Sequence, residues 1–167
     1  MGRGQALHLS RRSGQTDVEI DFPRLKTWTT TSEPTRAYNC IAWAADDTTR
    51  FWWPPVGSFS TGTYWPPDVP RALTVAAFVK VFAIVGYEPC DNGAHEPGVE
   101  KVAIYADGGV VKHAARQLED GRWTSKLGRG HDITHATVGD LETGSYGAVV
   151  QYLKRPILAI RPPKKAG

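Results

Sequence analysis

From residue 99 onward the chain is divided by glycine-containing turns into short segments that only a sheet can use. Residues 99–106, 110–118 and 122–126 are separated by Asp107-Gly108-Gly109 and Glu119-Asp120-Gly121. Two such short connectors join strands as hairpins, so a three-stranded meander is expected. A fourth strand at 147–154 and a fifth at 157–160 would complete a small antiparallel sheet. The helix-forming patterns all precede it. The expected class is therefore α+β, with N-terminal helices packed on that sheet.

The strongest helix signal covers residues 74–85, where Thr74 is a suitable cap, Gly86 a suitable stop and Lys80 the one interior charge. A helix with so little polar face should be covered on most sides. A shorter one begins at Tyr38-Asn39-Cys40-Ile41-Ala42-Trp43-Ala44-Ala45. Asn39 can accept from a first-turn amide, which places Cys40 at the start of a buried apolar helix. Free amides and the positive end of the helix dipole favour thiolate there, the form in which cysteine is a nucleophile. The same residue would be an inert core cysteine if no base reached it.

Between the helices lie Phe51-Trp52-Trp53-Pro54-Pro55 and Tyr64-Trp65-Pro66-Pro67. Prolines forbid regular helix or central strand, while the aromatics carry too much apolar area to leave in water. An ordered loop over the core is expected, as a cap or as the wall of a cleft. Residues 1–16 and 161–167 read as basic tails flanking one domain at 17–160, with an extended arm at Val18, Ile20 and Phe22. At 167 residues with 41% hydrophobic content, one core is the natural outcome. The net charge of +3 lies mostly at the two ends and gives no sign of a nucleic-acid-binding face. No apolar run reaches membrane-spanning length and no secretory leader is evident, so a cytoplasmic protein with no membrane partner is expected. Two cysteines, Cys40 and Cys90, do not make a disulfide framework.

The base most suited to Cys40 is His113. On a regular strand Val111, His113 and Ala115 share one face, which would be the face toward the helices and Cys40. A third group should fix the imidazole tautomer. His131, Asp132 and His135 have the short spacing that zinc uses, but they lack further ligands and read as loop, so neither metal nor cofactor is expected.

The order of these pieces resembles the papain-like cysteine peptidase and amidase superfamily. Asn39-Cys40-Ile41-Ala42-Trp43-Ala44 resembles its nucleophile helix and His113-Ala114-Ala115 its histidine strand. Thr124-Ser125-Lys126-Leu127-Gly128 resembles the segment carrying the orienting residue, which implies that role for Ser125, with Asp132 as the replacement if a hydroxyl is too weak. In the register of bacterial cell-wall endopeptidases the base position falls instead on Lys101. The whole chain also resembles a bacterial family with an N-C-I-A-W-A box and an H-A-A-R-Q-L…W-T-S-K-L-G box. The resemblance implies a Cys-His hydrolase acting on a peptide or other amide-containing substrate, with Cys40, His113, Ser125 and Asp132 in the site. Its alternatives are an acyl transferase of the transglutaminase or deamidase type, or an inactive fold retained as a protein-binding module.

Overall fold

The computed structural model describes residues 21–55 and 62–157. Seven strands form one sheet: β1 (Thr29–Thr30), β2 (Glu88–Cys90), β3 (Val99–Asp107), β4 (Val110–Gln117), β5 (Trp123–Lys126), β6 (Asp132–His135) and β7 (Ala148–Pro156). Their spatial order is β1-β6-β5-β4-β3-β7-β2, and every neighbouring pair is antiparallel. Among the described residues two short α-helices accompany it, α1 (Cys40–Ala44) and α2 (Val75–Ile84). The α+β expectation of helices packed on a small sheet is therefore corrected to a β-rich fold built on a seven-stranded sheet. The three additional strands fall in stretches with no hydrophobic period. Thr29–Thr30 and Glu88–Cys90 are held as edge strands by pairing with β6 and β7, and Asp132–His135 by pairing with β5.

The sheet divides the apolar residues into two clusters. On one face Val102, Ile104, Ala114 and Leu153 pack against Ile41 and Ala42 of α1 and against Phe78, Val81 and Phe82 of α2. On the other, Ala103, Tyr105, Ala115, Trp123 and Ile133 pack against Phe22, Leu25 and Leu141. Helix α2 is capped by the Thr74 side chain, which accepts from the Ala77 amide. It buries one face only, and Ile84 remains 58% exposed on the other, so it is not covered on most sides. The Trp-Pro segments serve the core and also wall a cleft. Trp52 is buried and bridges to Tyr64, while Trp53 and Trp65 each meet Phe78 edge-on. The expected arm at Val18 and Ile20, most of the fifth strand at 157–160, and the tails at 1–16 and 161–167 lie outside the described residues. Among the described residues no helix is long and apolar enough to cross a membrane.

Two irregularities shape the sheet near its centre. Tyr105 pairs with His113 but Ala106 pairs with Val111, so Lys112 is an extra residue that reverses the side-chain alternation of β4. A matching shift on the other side of β3 pairs Ile104 with Gln151 and Tyr105 with Val149, leaving Val150 half exposed. Strand β7 enters through Gly147 at φ +75°, where an added Cβ would collide with the Ala106 carbonyl. Gly147→Ala should therefore destabilise the fold by about 1–3 kcal/mol, seen as a lower urea midpoint at unchanged slope. An unaltered midpoint would contradict this register.

Candidate functional site

Asn39 builds the first half of the site. Its side-chain oxygen accepts from the Ala42 amide at 3.1 Å and the Trp52 amide at 3.0 Å, while its Nδ2 donates to the Trp52 carbonyl at 2.7 Å. One buried side chain thus caps α1 and pins the Trp-rich segment to the helix start. Trp43 fastens the helix to the sheet by donating from Nε1 to Thr124 Oγ1 at 3.0 Å. Cys40 is partly buried and lines a cavity of about 680 Å³ together with Tyr146, Phe51 and Trp53. Burial pushes its thiol up from 9.0 to about 11, against the pull of the Ala114, Ile41 and Cys40 amides and the nearby Lys126 charge. The expectation of a resting thiolate is thereby reversed: desolvation outweighs the amides of a five-residue helix.

The sulfur occupies a break in the sheet. Strands β4 and β5 pair only at Arg116 with Thr124 and Gln117 with Trp123. Nearer the start of β4 the same edge is taken by residues preceding α2, where the Val111 amide donates to the Leu73 carbonyl at 2.9 Å and Thr74 bridges Val110. Between these two lies Ala114, whose amide turns to the Cys40 sulfur. That amide is the first of the groups that pull against the rise of the thiol pKa.

His113 lies on the opposite face of the sheet from the one expected. The extra residue at Lys112 returns Val111 to the α1 face and turns His113 with its partner Tyr105 to the other. The imidazole is fully buried, edge-on to Tyr105 and stacked on Tyr146 with centroids 4.0 Å apart and planes 1° from parallel. Among the described residues it makes no hydrogen bond to Cys40. Tyr146 connects the two, since it lines the cavity beside Cys40 and covers the imidazole face. Burial, then the nearby Cys40, push its phenol far above the ordinary range.

The structure brings Ser125 to His113, with Oγ 3.0 Å from Nε2, and adds His135, from a stretch that reads as loop in the sequence. His135 Nε2 lies 2.9 Å from the same Oγ, and its Nδ1 is 2.9 Å from the Thr137 carbonyl. These contacts fix the protons. A carbonyl only accepts, so His135 carries its hydrogen on Nδ1, and burial keeps the ring neutral with a bare Nε2. The Ser125 hydroxyl donates to that nitrogen and accepts from His113 Nε2–H. His113 Nδ1 is then an unprotonated base, buried and without a hydrogen-bond partner among the described residues. Burial and His135 both hold the His113 pKa well below 6.5.

Asp132 is not part of this relay. It stands on the α1 face opposite Lys126, where its Oδ2 accepts from the Tyr38 hydroxyl at 2.5 Å. Lys126 lies over the Tyr38 ring and donates to the Gly130 carbonyl at 2.5 Å, so this cluster supports the wall behind Cys40. Lys101 is remote from both: its ammonium donates to the Asn92 carbonyl at 3.0 Å and pairs with Glu96 at 3.1 Å. Among the described residues no group of three or more His, Cys, Asp or Glu side chains could hold a metal ion.

A family model described as Domain of unknown function (DUF7689) matches residues 29–154. The chain belongs to this family. The DUF7689 span contains Cys40, His113, Ser125, Asp132, His135 and Tyr146, so the cavity and the relay both lie within it. No curated protein and no solved structure matches the chain.

Ser125→Ala should leave both Nε2 atoms without their partner and cost about 1–3 kcal/mol in chemical denaturation. The wild-type protein carries a matching pH signature. His113 and His135 have depressed folded-state pKa values, so the unfolded chain binds protons first as pH falls. Their contribution is complete above about pH 6.5 and is lost below it, by up to about 1.4 kcal/mol per pH unit for each ring. Stability that is flat between pH 7 and 5 would contradict the buried neutral pair.

Proposed function

We propose that the protein is a cysteine-dependent hydrolase of amide or ester bonds, with Cys40 as nucleophile and His113 as general base. The observation that carries this reading is the directed relay from Thr137 through His135 and Ser125, which leaves His113 with a bare Nδ1 behind the same Tyr146 that walls the Cys40 cavity. Burying two histidines and a serine in one oriented line is costly unless each is satisfied. The unsatisfied atom is the one that a base needs.

The chemistry starts from a neutral pair. Substrate enters the cavity, the thiol proton passes to His113 Nδ1 as sulfur attacks the carbonyl, and the imidazolium formed donates from Nε2 to Ser125. The Cys40 and Ile41 amides, which Asn39 leaves to the sulfur, stabilise the oxyanion. The leaving group takes the proton from His113, and water cleaves the thioester. The resting geometry lacks a sulfur-imidazole hydrogen bond, so this step needs the Tyr146 side chain to yield as substrate packs against it. That missing bond and the protonated thiol favour a second reading, a binding module in which Cys40 is only a cavity wall.

Pulse labelling with p-nitrophenyl esters separates the two. The hydrolase should release nitrophenolate in a burst with an acyl adduct on Cys40, seen by intact mass, followed by steady turnover. Cys40→Ala should abolish both. His113→Ala should slow acylation by about 10²–10⁴-fold. Ester hydrolysis that survives Cys40→Ala, or acylation unchanged in His113→Ala, would leave only the binding module.

A further inference from the structure

The cavity at Cys40 is strongly asymmetric in charge. Arg36, Lys112 and Arg129 all contribute to its lining, and among the described residues no acidic side chain does so. The three come from separate parts of the chain: the segment before α1, the bulge in β4, and the loop after β5. Among the described residues none of them forms a salt bridge. Several basic residues elsewhere are engaged. Arg116 and Arg155 both pair with Glu100, Arg50 with Asp47, and Arg122 with Asp120. The bulge at Lys112 that turns His113 away from α1 also sets this lysine on the cavity side. Lys126 also lies within electrostatic reach of the sulfur, its charge offset by the neighbouring Asp132. Phe51, Trp53 and Tyr146 give the remainder of the lining an aromatic character.

We propose that the ligand of this cavity carries an anionic group, a carboxylate or phosphate, beside the bond that Cys40 attacks. Three cations around an aromatic-walled cleft repel one another until an anion enters, and low-dielectric walls focus their field on the opening. Two arginines suit either oxyanion, because a guanidinium can bind it with two parallel hydrogen bonds. That the anion belongs to a substrate rests on the hydrolase reading; the anion site itself does not.

Alkylation of the thiol tests the site without needing turnover. In Cys90→Ser protein at fixed pH and low salt, the rate with anionic iodoacetate is divided by the rate with neutral iodoacetamide. The same ratio is taken for β-mercaptoethanol. The Cys40 ratio should exceed the reference by at least about tenfold and should fall toward it as salt is raised. It should fall likewise in the variant combining Arg36→Gln, Lys112→Gln and Arg129→Gln, all exposed positions. Protection by acetate or by inorganic phosphate then tells which oxyanion the site prefers. A ratio equal to the reference, a raised ratio that the triple variant keeps, or no labelling by either reagent would overturn the proposal. A reference-like ratio in protein that still acylates sinks the anion site alone. A raised ratio in protein that never acylates sinks the hydrolase and leaves the anion site standing.

Discussion

The site depends on β4 and β5 parting after two residue pairs. A continued ladder would engage the Ala114 amide with β5 and close the sheet where the Cys40 sulfur now lies. Because the strands separate, α1 can set its first residue at the opening, where the Ala114 amide acts on the thiol. On the opposite face His113 and Ser125 reach across the same separation, so a side-chain hydrogen bond continues where backbone pairing stops. The opening is bounded on its other side by the Leu73 and Thr74 contacts to the start of β4, and those residues lead directly into α2. Both helices are thus placed by one strand edge.

Local chemistry was the legible part of the sequence. Asn39 and Thr74 cap their helices because each offers a short side-chain acceptor to an amide three residues on. The glycine turns at 108–109 and at 121 adopt positive φ and separate the central strands. The fold class was not legible, since β1 and β6 are short, largely polar segments: β1 is a strand only through β6, about a hundred residues away, and β6 has no hydrophobic alternation to announce its pairing with β5. The face of His113 was missed for a sharper reason. Strict alternation groups it with Val111, which does face α1, and one extra residue at Lys112 sets the two on opposite faces. No pattern in the Val110–Gln117 segment announces that bulge.

Of the proposed site residues, Ser125 stands beside His113, whereas Asp132 turns to Tyr38. The two belong to adjacent antiparallel strands, but Ser125 pairs with Ile133 and Lys126 with Asp132, so a single residue of register separates the relay from the wall. His135, two residues beyond Ile133, falls on the relay side by the same parity. The stretch holding His131, Asp132 and His135 reads as loop from sequence, and only the pairing of β6 with β5 shows that the Asp132 and His135 side chains point apart. Tyr146 had no sequence signal, because it lies in the irregular segment before β7 and reaches His113 through folding alone.

Nothing charged is required in the resting site. A thiol raised by burial and an imidazole lowered by burial form a neutral pair, unlike a thiolate stored beside an imidazolium. In the proposed hydrolase the relay supplies orientation, and proton transfer belongs to the moment of attack. That proposal requires Cys40 and His113 to work together through the break in the sheet. Nitrogen-15 NMR of the histidine rings, before and after acylation of Cys40, tests it most directly. The expected result is a neutral His113 protonated at Nε2, with an Nδ1 resonance that shifts on acylation while the His135 Nδ1–H resonance stays in place. A His113 protonated at Nδ1 in the free protein, or an Nδ1 resonance indifferent to the acyl group, would contradict it.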